Sequence, residues 1–178
     1  MKKLTFILSI AAGISASAQS TPLQVNNYNP DYTAVGRLMT MSPLPYKPYM
    51  YAIGTYPSTN YTIPINGYSY YEHFDTSGTA NIPILYWNYG DPLNPSTAGT
   101  YPYNHPLITA VNSVDEWEGY AFSLRDSNGQ SVDSFEVGDP VLSGGFLQSS
   151  QSGYNTPSFA EWFTISSGSG DITYLQIY

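Results

Sequence analysis

The stretch Asp115-Glu116-Trp117-Glu118-Gly119-Tyr120-Ala121-Phe122-Ser123-Leu124-Arg125-Asp126-Ser127-Asn128-Gly129-Gln130-Ser131-Val132-Asp133-Ser134-Phe135-Glu136-Val137-Gly138 reads as two strands about a turn. Asn-Gly is the strongest short hairpin signal, because both central positions of a type I′ turn need φ > 0. Counting outward from Asn128-Gly129 pairs Ser127 with Gln130, Leu124 with Asp133, Phe122 with Phe135 and Tyr120 with Val137. Tyr120, Phe122, Phe135 and Val137 then share one face, and Ala121, Ser123, Ser134 and Glu136 the other. A slip of one residue would mix the faces, so burial of one face selects this register. Arg125 is expected to make only a weak surface pair with Asp126 or Asp133.

Two further hairpins are expected on the same grounds. Tyr61 to Ile65, Asn66-Gly67 and Tyr68 to Phe74 form the first, with Ile65 opposite Tyr68 and Ile63 opposite Tyr70. Pro64 cannot donate to a ladder, which makes its strand an edge. Glu161 to Ile165 and Ile172 to Tyr178 form the second, with Ile165 opposite Ile172 and Phe163 opposite Tyr174. Tyr49 to Ile53 and Ile82 to Tyr89 read as further strands, and residues 90–106 and 148–158 as loops. The interval 107–117 is the one place where a helix competes, with Leu107, Ala110, Val111 and Val114 at helical spacing after Pro106. Hairpins and short strands bounded by turn signals give an all-β fold: a single antiparallel β-sandwich or jelly-roll-like domain with at most one short helix.

The ends of the chain are read separately. Residues 1–18 have the layout of a signal peptide, with Lys2 and Lys3, an apolar run from Leu4 to Ile14, and Ala16-Ser17-Ala18 at the cleavage site. The mature chain is expected to begin at Gln19. Residues 19–48, with Pro22, Pro30, Pro43, Pro45 and Pro48, read as an extended arm along the outside of the sheets or reaching to another subunit. Residues 49–178 form the β domain. The chain has no cysteine, so disulfides are excluded, and export without them fits a bacterial secreted or periplasmic protein.

After removal of Lys2 and Lys3, 5 − 2 = 3 cations face 13 acids, a net charge of −10. That argues against nucleic acid and anionic membranes as partners. The polar surface must come from Ser, Thr, Asn, Gln and tyrosine hydroxyls. Of the 18 tyrosines, 14 fall within residues 28–103. Both faces of the strands in 61–89 carry aromatics, so some must be exposed. Tyr70, Tyr71, Tyr86, Trp87, Tyr89, Tyr101, Tyr103 and Trp117 are therefore the candidate contact residues for a glycan or a protein, including a second copy of this chain.

Catalysis has little support in the residues. His73 and His105 are the only histidines, no G-x-S-x-G surrounds a serine, and no zinc-ligand spacing occurs. No catalytic residue and no resident cofactor are expected. Asp115, Glu116, Glu118, Asp126, Asp133, Glu136 and Asp139 are dense enough to admit calcium, although Asp126-Ser127-Asn128-Gly129 lacks the loop spacing of a calcium-binding hand. Glu118-Gly119-Tyr120 is similar to the Glu-Gly-Tyr around the acid/base of the family eleven xylanases, which are jelly rolls with tyrosine-lined clefts. That family's Glu-Tyr-Tyr partner motif is here reversed as Tyr70-Tyr71-Glu72. The resemblance implies a glycan-active hydrolase, which needs two carboxylates across a groove, drawn here from Glu72, Glu118 and Glu136. The primary expectation is an exported, non-catalytic binding or structural subunit acting through a tyrosine-rich acidic surface. A carbohydrate-binding module is the alternative.

Overall fold

The computed structural model describes residues 20–43, 48–54, 59–168 and 170–178. The expected signal peptide lies outside the described residues. The strands are β1 (Leu23–Asn27), β2 (Thr33–Met41), β3 (Tyr49–Ile53), β4 (Tyr61–Ile63), β5 (Tyr68–Tyr71), β6 (Tyr86–Gly90), β7 (Gly99–Pro102), β8 (Glu116–Arg125), β9 (Ser131–Gly138), β10 (Ser150–Ser152), β11 (Phe159–Ser167) and β12 (Gly170–Ile177). One short helix, α1 (Pro106–Val111), and 3₁₀ turns at Phe74–Thr79 and Pro95–Thr97 complete the described elements.

The strands form two sheets. The first has the order β10-β11-β12-β1-β5, and the second β7-β6-β3-β2-β8-β9, with β4 beside β2. All pairings are antiparallel except β1 with β12, which is parallel. One buried cluster draws on both sheets. Leu23, Val25, Tyr71, Trp162, Leu175 and Ile177 come from the first, and Leu38, Met50, Trp87, Tyr120, Phe122 and Phe135 from the second.

The central hairpin keeps its register through two deviations that cancel. Tyr120 faces Val137, Phe122 faces Phe135, and Leu124 faces Asp133. The loop is not of type I′, however. Asp126 N–H bonds the Gln130 carbonyl and Gly129 N–H bonds the Asp126 carbonyl, leaving Ser127, Asn128 and Gly129 in the loop. Only Gly129 has positive φ, at 78°, as in a type I turn closed by a glycine bulge. The longer loop shifts the register by one, and an irregularity before Arg125, which pairs with Ser131, shifts it back. The Asp126 carboxylate makes this loop preferable, accepting the N–H groups of Asn128 and Gln130 at 2.9 Å each.

Asn66-Gly67 does not form a hairpin. β4 joins β2 in the second sheet, and β5 joins β1 in the first. The turn between them is closed by Gly67 N–H to the Pro64 carbonyl, with Asn66 alone at positive φ (53°), the pattern of a type II turn. Buried Asn27 fixes the crossing. Its side-chain amide donates to the carbonyls of Tyr32 and Pro64, and its backbone N–H to the Gly67 carbonyl. β4 does have a single partner strand and ends before Pro64, as an edge should.

Of residues 19–48, expected as an extended arm, the described part supplies a strand to each sheet. β1 lies between β12 and β5, and β2 lies between β8 on one side and β3 and β4 on the other. Pro22, Pro30, Pro43 and Pro48 fall outside the strands, so they bound β1 and β2 rather than prevent them, and Pro45 lies outside the described residues. The helix ends at Val111 rather than residue 117, because Glu116 and Trp117 belong to β8. The strand expected at 82–89 starts only at Tyr86, since Ile82 and Ile84 give their N–H groups to Ser69 Oγ and the Ser77 carbonyl. The expected loops at 90–106 and 148–158 each contain a short strand, β7 and β10.

The candidate contact face

The tryptophans go inward. Trp87 and Trp117 are 0% and 3% exposed. They sit 5.9 Å apart with Phe74 and Tyr71 against them, and the cluster runs on through Tyr61, Tyr120, Phe122 and Phe135. A bulge turns Trp117 inward. Met39 pairs with Gly119 and Thr40 with Trp117, so Glu118 is the extra residue and odd spacing puts Trp117 and Tyr120 on one face. Tyr71 and Tyr89 are also buried, and Tyr101 and Tyr103 pack against the core. Of the eight expected contact residues only Tyr70 and Tyr86 are exposed, and they lie on different sheets. Buried Tyr71, Trp87, Tyr89 and Trp117 offer no open ring face to an external ligand, while Tyr101 and Tyr103 are half-buried.

Four of the exposed tyrosines, Tyr28, Tyr68, Tyr70 and Tyr178, lie on the outer face of the first sheet. Cross-strand register sets Tyr70 of β5, Gln24 of β1, Tyr174 of β12 and Phe163 of β11 in one row. The next row holds Tyr68, Asn26, Gln176 and Glu161. Tyr174 and Phe163 stack at 5.2 Å and 12°. Beyond the second row Tyr28 stacks on Tyr178 at 5.5 Å, and Phe159 follows at 6.3 Å. The Tyr178 hydroxyl bonds Glu161 Oε1 at 3.1 Å and the Gln176 side chain. Alternation explains the arrangement: Ser69, Tyr71, Leu175 and Ile177 point to the core, so their neighbours Tyr68, Tyr70, Tyr174 and Gln176 point out.

The face is a trough. Pro22, just before β1, and Gln24 and Asn26 of β1 run along its floor, all shorter than the tyrosines of β5 and β12 on either side. At the start of β1 the trough opens into a groove of about 610 Å³, lined by Ser20, Thr21, Pro22, Tyr70, Glu72, His73 and, opposite, Asp171 and Ile172. At the other end lies the Tyr28–Tyr178 stack. Burial and the nearby Glu72 carboxylate push the Tyr70 phenol upward. The Asn26 side-chain NH₂ is buried in this floor and has no hydrogen-bond partner among the described residues.

The carboxylates of the central stretch are dispersed, and Asp126, Asp133 and Asp139 already serve the backbone. Asp126 closes its own loop. Asp133 accepts the N–H groups of Tyr154, Asn155 and Thr156 and the Thr156 hydroxyl, which together hold its carboxyl below the usual range. Asp139 accepts the N–H groups of Val141 and Leu142. No three metal-capable side chains meet among the described residues. Glu118 is buried at the bulge, where desolvation pushes its carboxyl up. Glu136 lies on the outer face of the second sheet, in a shallow groove with Arg37 and Arg125. The three glutamates of the hydrolase expectation therefore share no groove. Glu72 does share one, with Asp171.

His105 caps α1, its Nδ1 accepting Leu107 N–H at 3.2 Å, and packs on Tyr101. Sequence reasoning missed Tyr28, Tyr68, Tyr174 and Tyr178 as surface residues. The signal was there in Ile172-Thr173-Tyr174-Leu175-Gln176-Ile177-Tyr178, whose alternation names the outward set. No known protein family, curated protein or solved structure matches this chain.

Proposed function

We propose that this is an exported, non-catalytic binding subunit, secreted or periplasmic, whose contact surface is the outer face of the first sheet. The two sheets are read as the layers of one β-sandwich. The observation that carries the reading is the concentration of Tyr28, Tyr68, Tyr70, Tyr174 and Tyr178 on one sheet face, four of them between 40% and 53% exposed. Rings with hydroxyl handles bury large area at small entropic cost, and a face of this kind is what an interaction surface needs. The layout of residues 1–18 supports export.

The test compares two double variants of residues 19–178. One is Tyr70→Ser with Tyr174→Ser, on the proposed face. The other is Tyr49→Ser with Tyr86→Ser, at exposed positions of the second sheet. Self-association is read by size-exclusion chromatography with light scattering, and ligand binding by depletion onto polysaccharides and onto immobilised copies of the protein. Association is expected to weaken in the first variant and persist in the second. The opposite pattern, or no association with any of these, removes the assignment.

A further inference from the structure

Resting on that contact face, we infer that the trough over β1 binds a single chain of a neutral, hexose-based polysaccharide lengthwise. Tyr70 and Tyr174 stand on either side of Gln24, two inter-strand spacings apart, or about 10 Å. Phe163 stacks on one face of Tyr174, which props that ring upright and leaves its other face toward the gap. A sugar ring presents an apolar C–H face on each side and hydroxyls around its rim. It fits between two upright aromatic rings, with the rim meeting the floor.

The floor supplies what hydroxyls need. Gln24, Asn26 and Gln176 each carry an amide that both donates and accepts. The buried, unpartnered NH₂ of Asn26 is a donor whose cost is recovered when an oxygen reaches it. In the groove at the start of β1, Glu72 and Asp171 are acceptors for further hydroxyls.

Charge selects among glycans. The carboxylates along the trough are Glu72, Asp171 and Glu161, and Arg37 and Arg125 both line a groove on the other sheet. An anionic polymer would meet like charge there, on a chain whose expected mature form carries −10 by the 3 − 13 count. A flat aromatic partner surface fits poorly, because the rings stand up with a gap between them. Both ends of the trough admit a chain: one opens into the wide groove, and the other passes over the Tyr28–Tyr178 stack.

The experiment is affinity electrophoresis of residues 19–178 in gels containing a soluble neutral polysaccharide (mixed-linkage β-glucan, xyloglucan or galactomannan) or an anionic one (alginate or polygalacturonate). Retardation is expected in at least one neutral gel and in neither anionic gel. Tyr70→Ala and Tyr174→Ala should each weaken it about tenfold, the scale of one lost aromatic contact. Gln24→Ala should weaken it without changing the melting temperature, and Tyr86→Ala should leave it intact. Circular dichroism melts on each variant separate lost binding from lost fold.

Retardation only in anionic gels overturns the inference. So does retardation that Tyr70→Ala and Tyr174→Ala leave unchanged. No retardation in any gel, with concentration-dependent self-association that these two variants abolish, overturns the glycan while the contact face stands. Neither retardation nor association removes both. Release of reducing ends from a retarding polymer, lost in Glu72→Gln, would replace the non-catalytic reading with hydrolysis by the Glu72 and Asp171 pair.

Discussion

Asp115 is the residue whose chemistry departs furthest from its sequence expectation. It counted as one of a run of carboxylates dense enough to admit calcium, yet it is 1% exposed, with Oδ2 accepting from Thr40 Oγ1 at 3.2 Å and Oδ1 unpartnered. Burial pushes its pKa up to about 8, against the smaller opposing effect of the Thr40 hydrogen bond. The unfolded chain ionises this group near pH 4 and the folded chain only near pH 8. Between those values the folded state binds the extra proton, so stability falls as pH rises, by up to about 1.4 kcal/mol per pH unit for one fully coupled proton. Asp115→Asn keeps the shape and removes the titration. The variant should melt higher than the parent at pH 8, with the difference shrinking toward pH 4. Equal slopes of melting temperature against pH in the two proteins would contradict the assignment. Sequence could not show this burial, because it depends on Thr40 of β2, 75 residues away, coming beside the turn that links α1 to β8.

At the scale of elements, pairings within a hairpin were readable and departures from regular ladders were not. β11 and β12 pair as expected from Ile165 opposite Ile172 onward, because two apolar alternations about one turn allow a single register. β4 and β5 defeat the same logic, since a turn of nearly the same composition sends its two strands to different sheets. What decides is Asn27, 40 residues before Gly67, whose hydrogen bonds hold the crossing. The bulge at Glu118 was equally hidden, although a pair of glycines marks it. Gly119 and Gly138 face each other with Leu147 over them, and a Cβ on Gly138 would come 2.3 Å from the Glu118 carbonyl oxygen and 2.5 Å from Leu147 Cδ1. Gly138→Ala should destabilise by about 1–3 kcal/mol, the usual cost of overpacking a filled site. Chemical denaturation would show it. A midpoint within error of the parent would mean that β8 and β9 can part without cost.

For the molecule as a whole, the all-β class followed from turn chemistry and alternation, and the location of the contact face did not. Trp87 and Trp117 looked like surface aromatics only so long as the sheet count was unknown. Once two sheets share one core, the large rings fill it, and the candidate contact face is defined by what the core does not take. The tyrosines inside keep their hydroxyls bonded: Tyr120 to the carbonyls of Ala34 and Tyr61, and Tyr71 to the Ile82 carbonyl at 2.5 Å. β12 lies between β11 and β1 and supplies Leu175 and Ile177 to the core. Deleting residues 172–178 should therefore abolish the cooperative thermal transition rather than trim an edge. A truncated chain that still melts in one transition near the parent's temperature would show that the first sheet is dispensable.

The parallel pairing of β1 with β12 also governs timing. Residues at the two extremes of the described chain are ladder neighbours, so a ribosome must release nearly the whole polypeptide before the first sheet can be completed. Contacts of such long sequence separation form slowly. For the exported subunit proposed above, that delay would act as a built-in latch: the chain stays unlocked while it is being moved and closes when its last strand arrives.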